Sequence, residues 1–389
     1  MTNYSYFHKL KCANCGGLLP TDEVQTFCET CPSPLLSIYD LESARSNLDR
    51  DQLTQRTRSM WRWHELMPVF DQKNIVSLGE GDTPLLRTDR LGEHLGLRKL
   101  YIKDESQNPT GTFKARGLAA AVSKAKELGV TKLVIPTAGN AGGALASYAA
   151  RGGMTAAVVM PNDTPIANIV ESRIAGAEVD LVEGLISDAA RVVKDRVDRV
   201  GWFDMSTFKE PYRVEGKKIM GYEVAESFGW KLPDVIVYPT GGGTGLIGMW
   251  KAFRELEALG WLESSKLPRM VVVQASGCAP VIKAFENKKL ACEFWETAQT
   301  LATGLRVPRS FADRLIMETL YESNGTAVAV VDEDIRRSQK RLAKLEGIFA
   351  APEGAATIAG LENLVRDGWV HAEESVVLFN TGTGLKYLT

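Results

Sequence analysis

The sequence predicts an α/β fold: two α/β domains on mainly parallel sheets, preceded by a small four-cysteine ribbon. Three observations predict it. Short apolar strands alternate with helix-like stretches of ten or more residues, the pattern of βα units. Several strands are unbroken apolar runs, as in sheets covered by helices on both faces. The paired cysteines are confined to the first 31 residues, ahead of that alternation.

The ribbon comes first, at residues 1–40. Cys12 and Cys15 form one Cys-x-x-Cys, and Cys28 and Cys31 form a second after twelve intervening residues. In a reducing compartment this spacing reads as a zinc site rather than as disulfides. Four thiolates close a tetrahedral shell and leave no position open for substrate, so the metal role is structural. Gly16 and Gly17 fit the tight knuckle after the first pair. Cys278 and Cys292 stand alone as buried or incidental thiols.

A polar stretch, "LESARSNLDRDQLTQRTRSM", follows as helix or linker, and the aromatic-rich "MWRWHELMPVF" reads as a helix anchored on the main body. Strands are predicted at "KLYIKDE", "KLVIPTA", "TAAVVMP", "AEVDLVE", "DVIVYPT", "MVVVQAS", "TAVAVVD" and "ESVVLFN". Helices are expected at "ARGLAAAVSKAKELG", "NAGGALASYAARGG" and "LISDAARVVKDRVDRVG". The smaller domain is expected at 104–208, and the larger combines 41–103 with 209–389.

The 389 residues carry a formal net charge of −2, with 44% hydrophobic and 24% charged residues. That balance gives no footprint for nucleic acid or an anionic membrane. No apolar run reaches the roughly 18 to 20 residues of a membrane span. The start, "MTNYSYFHKLKCANC", lacks the apolar core of a signal peptide, so a cytoplasmic protein is expected.

Ligands of open parallel sheets sit in the loops beyond the strands' carboxyl ends. Three small-residue loops fall there: "TAGNAGG", "TGGGTG" and "TGTG". Gly241, Gly242, Gly243, Thr244 and Gly245 join a strand to an apolar helix. Their backbone can approach an anion closely at the helix's unpaired N–H groups, although a plain tight turn explains such a loop as well. Thr137 to Ala141 resemble a second anion cradle, with capping of the helix by Asn140 as the alternative. Lys114, in "NPTGTFKARG", sits where turn residues give way to a helix. A lysine fixed there serves as a phosphate ligand or a Schiff-base amine, if it is not a solvated surface charge.

Together, "LGEGDTPLL", "IKDESQNPTGTFKARG", "TAGNAGGALASYAARGG", "YRVEGKK", "PTGGGTG" and "TGTGLKY" occur in the order of the fold-type II pyridoxal phosphate enzymes. The sequence resembles the threonine synthases among them, over about residues 75 to 389. The resemblance implies a fold like that of the tryptophan synthase β chain, with the cofactor in the cleft between the domains. It makes Lys114 the catalytic lysine that carries pyridoxal 5′-phosphate. Asn140 then faces the cofactor's phenolic oxygen, Gly241 to Gly245 hold its 5′-phosphate, and Thr381 meets its pyridine nitrogen. Thr137, Ala141 and Arg213 are implied as substrate-binding, Arg213 because a guanidinium suits the substrate's phosphate. Lys217 and Lys218 stand beside it as candidate helpers or surface residues. Glu353, in "GIFAAPEGAA", departs from the family's small polar residues; it caps its helix or faces the cofactor's ring edge. A homodimer is common in the family.

The implied reaction converts O-phosphohomoserine and water to threonine and phosphate by γ-elimination and β-addition. Three departures leave a second reading open. Ala115 stands in place of a common aspartate, Ala141 in place of a hydroxyl residue, and "FKEP" at Phe208–Pro211 replaces small polar residues. Each removes a polar contact at the substrate end. The alternative is a related ammonia-lyase, dehydratase or β-replacement synthase acting on a serine, threonine, phosphoserine or diaminopropionate type substrate. A binding ribbon on a retired scaffold would lack the intact Lys114. A dehydrogenase would need a Gly-x-Gly-x-x-Gly turn followed by an acidic residue, and the sequence has none in that setting.

Overall fold

A computed structural model describes residues 4–388. The ribbon is a three-stranded antiparallel sheet of β1 (Phe7–Cys12), β2 (Leu18–Leu19) and β3 (Leu35–Tyr39), with β1 in the middle. It is packed onto the body rather than tethered to it. Phe7, Leu10, Leu35 and Tyr39 share a core with Trp63, Tyr212 and Trp261. Tyr39 donates to the buried Glu215 carboxylate at 2.9 Å.

Helices Leu41–Asn47 and Arg50–Thr54 cover the polar stretch. The aromatic segment forms a 3₁₀ turn, Met60–Leu66, rather than the expected α-helix, with a break at Trp63. Strands β4 (Leu85–Arg87) and β5 (Lys99–Asp104) then pair antiparallel.

A four-stranded, all-parallel sheet follows from β6 (Lys132–Pro136), β7 (Thr155–Pro161), β8 (Glu178–Val182) and β9 (Phe203–Asp204), ordered β8-β7-β6-β9. The chain then adds β10 (Val235–Pro239), β11 (Arg269–Ala275), β12 (Thr326–Val330) and β13 (Ser375–Asn380). With β4 and β5 these form a six-stranded sheet ordered β12-β11-β10-β13-β5-β4, parallel except at β4. All eight predicted strand segments are strands. The short β4 and β9 carried too few apolar residues to be read.

Between the sheets runs helix Arg213–Ser227, buried along almost its whole length although it carries Glu215, Lys217, Lys218 and Glu223. It packs on helices Lys114–Glu127 and Thr244–Leu259. Glycine permits the close approach: a Cβ on Gly216 would collide with the Arg116 carbonyl, and one on Gly117 with the Lys217 amine. Lys217 and Lys218, which the sequence left between helpers and surface residues, are both fully buried. Among the described residues, no helix is long and apolar enough to cross a membrane.

Candidate active site

Lys114 opens helix Lys114–Glu127, directly after the turn Pro109–Gly111. The turn is stitched to the chain's last loop. Phe113 N–H donates to the Thr381 carbonyl at 3.0 Å, and Thr383 N–H to the Gly111 carbonyl at 2.9 Å. Behind it, Arg116 is wholly buried and bonded to Glu105 and Glu223. The lysine therefore projects from an element anchored on both sides, into a cavity of about 300 Å³.

That cavity lies at the carboxyl ends of β6, β10 and β13, the expected place for a ligand in such sheets. Thr137, Asn140, Ala141, Arg213, Gly241 to Gly245 and Thr381 all line it with Lys114. The residues assigned to the cofactor and substrate from sequence are thus brought to one place, whereas the candidate helpers Lys217 and Lys218 do not line the cavity. Glu353 and Tyr387 line it too.

The glycine loop links β10 to helix Thr244–Leu259, with Gly243 at φ +83 as the residue before the helix. No side chain fits along it. A Cβ would strike the Gly304 carbonyl at Gly241, Ile316 at Gly243 and the Tyr238 ring at Gly245. Bare backbone at a helix start is what a phosphate group requires.

Burial first, then the Arg213 guanidinium, pulls the Lys114 amine down to about 8, with Glu353 opposing. Such a lysine has a substantial neutral, nucleophilic fraction near neutral pH. Arg213 is buried, and its Nη1 donates to the Met205 carbonyl at 2.7 Å. Its Nε has no partner. Burial pushes Glu210 up to about 7 against the pull of Arg213, so the arginine's nearest carboxylate, 4.0 Å away, neutralises it only weakly. A buried guanidinium so placed is available to an anionic guest. Lys217, one turn further on, is buried with its amine unpartnered.

Asn140 is the first residue of helix Asn140–Gly152, with Gly139 before it at the cap. Its side chain caps nothing and instead donates to the Tyr387 hydroxyl at 2.9 Å. Glu353 lies in the first turn of helix Pro352–Arg366, and its carboxylate accepts the N–H of Gly304, outside that helix, at 2.7 Å. The arrangement suits pyridoxal phosphate: a lysine of lowered pKa, a side-chain-free phosphate cradle, and an Asn140 carbonyl that is buried without a partner.

The sequence missed two parts of the cavity. The loop from Thr303 to Phe311 forms one wall, and its Ser310 hydroxyl donates to the Gly242 carbonyl at 3.0 Å. Its residues are ordinary loop residues, and the basic Arg306 and Arg309 are the one signal that could have drawn attention to it. Tyr387 ends a short turn, and nothing in "TGLKY" marks it as cavity-facing.

In the ribbon, the four sulfurs of Cys12, Cys15, Cys28 and Cys31 lie within 4.8 Å of one another. Cys12 and Cys31 are 3.3 Å apart and Cys15 and Cys28 are 3.7 Å apart. A tetrahedral zinc with bonds of about 2.3 Å separates its sulfurs by about 3.8 Å, so the donor set and its size fit that ion. Cys278 and Cys292 are buried single thiols.

Residues 76–382 match the family described as pyridoxal-phosphate dependent enzyme. A threonine synthase of Methanocaldococcus jannaschii is 35% identical over 97% of this chain and 92% of its own length. A threonine synthase of Methanosarcina acetivorans is 37% identical, also over 97% and 92%. Among solved structures, the processed form of threonine deaminase isoform 2 from Solanum lycopersicum superposes with a TM-score of 0.68 at 21% identity. It covers 86% of this chain and 90% of that one. Maize serine racemase gives 0.68 at 19% identity, over 78% and 88%. At those identities the structures speak for the fold alone.

Proposed function

The chain belongs to the pyridoxal-phosphate dependent enzymes, and from that premise we propose that it is a lyase of threonine biosynthesis, converting O-phosphohomoserine and water to threonine and phosphate. The likeness to threonine synthases over 97% of the chain carries this reading. The fit of a second, buried cation, Arg213, to the same cavity as Lys114 supports it.

Lys114 would hold the cofactor covalently, and the backbone of Gly241 to Gly245 with the Thr244 hydroxyl would take its 5′-phosphate. Asn140 would face its phenolic oxygen and Thr381 its pyridine nitrogen. Bound there, the cofactor would supply an electron sink that weakens the bonds at the substrate's Cα and Cβ. Lys114 moves the protons at Cα and Cβ, for which its amine near 8 is suited at working pH. Arg213 binds the substrate phosphate and holds it as it leaves Cγ, with Thr137 and Ala141 beside the substrate. Water then adds at Cβ. Residues 104–208 close over the bound substrate and exclude water until that step.

The four cysteines hold a structural zinc ion. The chain works in the cytoplasm, as a homodimer, on a small amino acid and with neither nucleic acid nor membrane. The deciding assay incubates the cofactor-loaded protein with O-phosphohomoserine and follows phosphate and threonine together. O-phosphoserine, threonine and serine run in parallel. Equal amounts of both products support the reading, whereas turnover of one of the parallel substrates alone would replace it.

A further inference from the structure

The C-terminal turn carries a hydroxyl into the cavity. Tyr387 ends the turn Gly384–Tyr387, and its oxygen accepts from Asn140 Nδ2 at 2.9 Å. The same hydroxyl donates to Glu353 Oε1 at 3.1 Å, and that carboxylate oxygen also accepts the Gly304 N–H at 2.7 Å. The order of donors follows from chemistry. A phenol facing a carboxylate donates to it, which leaves the phenol oxygen free only to accept. Asn140 must therefore turn its NH₂ toward Tyr387 and its carbonyl away, and the carbonyl is indeed buried without a partner.

These groups come from opposite sides of the cavity. Asn140 follows β6 of the four-stranded sheet, whereas Tyr387 follows β13 and Glu353 opens helix Pro352–Arg366. The neighbouring Lys386 makes a second crossing, an ion pair with Glu171 at 2.6 Å. Since Gly139 occupies the cap position, no helix-capping role accounts for the Asn140 amide.

We propose that Tyr387, backed by Glu353, is a positioning residue that fixes the amide of Asn140 and so sets which of its remaining groups, the second N–H or the carbonyl, faces the cofactor's phenolic oxygen. This rests on the reading of Asn140 given under Proposed function. A plain strap across the cavity would need only the Lys386–Glu171 pair.

The test uses full-length protein reconstituted with pyridoxal phosphate, with absorbance spectra and cofactor titrations for each variant. Tyr387→Phe is expected to keep a Lys114-dependent band but displace it, with affinity roughly tenfold weaker. Lys386→Met is expected to leave the band in place. In an Asn140→Ala background, Tyr387→Phe is expected to change nothing further, because its effect runs through the missing amide. Glu353→Gln, which keeps an acceptor oxygen, should stay closer to the unaltered protein than Glu353→Ala. It also serves as a second variant should Tyr387→Phe fold poorly. A Tyr387→Phe spectrum that superposes on the unaltered one would overturn the proposal, as would an equal shift without Asn140. Absence of any Lys114-dependent band in the unaltered protein would remove the Asn140 reading itself, a failure visible before any variant is made.

Discussion

The guanidinium of Arg116 and the carboxylate of Glu223 meet in two parallel hydrogen bonds, both 2.7 Å, with both side chains inside the protein. Glu105 bonds the same arginine and Lys103 the same glutamate, so every charge has a partner. Breaking such a pair from one side strands a buried charge. Glu223→Leu is therefore expected to destabilise the protein by about 3–5 kcal/mol, measured by denaturant unfolding. Removing the exposed pair of Arg254 and Glu257 should cost under about 1 kcal/mol. Burial alone would raise Glu223, but Arg116 and Lys103 outweigh it and hold the carboxyl below its ordinary 4.5. Its contribution is complete above that value and is lost as pH falls below it.

Attachment of the cofactor to Lys114 requires the neutral amine. With that amine at about 8, the rate of attachment should rise with pH to a plateau, with its midpoint near 8. After burial, Arg213 is the main cause of the lowering, so Arg213→Leu should move the midpoint up toward an ordinary lysine. Growth of the absorbance band across roughly pH 6 to 10 checks both.

The glycine cradle leaves no room for a methyl group. Gly245→Ala would drive its Cβ into the Tyr238 ring. It is expected to weaken cofactor binding about tenfold or more, while Lys114 still reacts slowly with excess cofactor. Equilibrium titration of the cofactor-free protein measures it; unchanged affinity would place the phosphate elsewhere.

Arg213→Met should raise KM for O-phosphohomoserine by roughly 10- to 100-fold, the worth of a charge-assisted hydrogen bond. It should affect far less the turnover of a substrate analogue without a phosphate. Steady-state kinetics on both substrates separates phosphate recognition from damage to the cavity.

One zinc ion per chain is expected in protein purified without chelator, measured by elemental analysis. Cys15→Ser together with Cys28→Ser should abolish it. Because the ribbon shares a core with Trp63 and Tyr212, that loss should also lower the melting temperature.

The strands were legible because parallel strands covered on both faces are written as unbroken apolar runs, of which "VIVYP" is an example. The loops that line the cavity were legible because each gathers turn-forming and small residues, one of them with a lysine, within a short stretch of sequence. Helix Arg213–Ser227 was harder. Its buried Glu215, Lys218 and Glu223 are satisfied by Tyr39, Lys251, Glu255, Arg116 and Lys103, which lie well away in sequence, while the Lys217 amine has no partner. Periodicity cannot register that kind of pairing, so Lys217 and Lys218 looked as much like surface residues as site residues. Tyr387 and the loop from Thr303 to Phe311 failed for the same reason: their partners are supplied by the fold alone.

The central position of β13 dictates an order of assembly. This last strand, Ser375–Asn380, is the one that joins β10 to β5. Until it leaves the ribosome, the six-stranded sheet remains two unconnected pieces, β4–β5 and β10–β12. The four-stranded sheet, whose strands all lie between residues 132 and 204, has every partner in hand much earlier. Synthesis therefore delivers a finished smaller sheet beside an open larger one, whose edges at β5 and β10 await the final segment. A ribosome stalled before residue 375 would hold a chain with Lys114 and the glycine loop already made but without the strand that joins their two pieces of sheet.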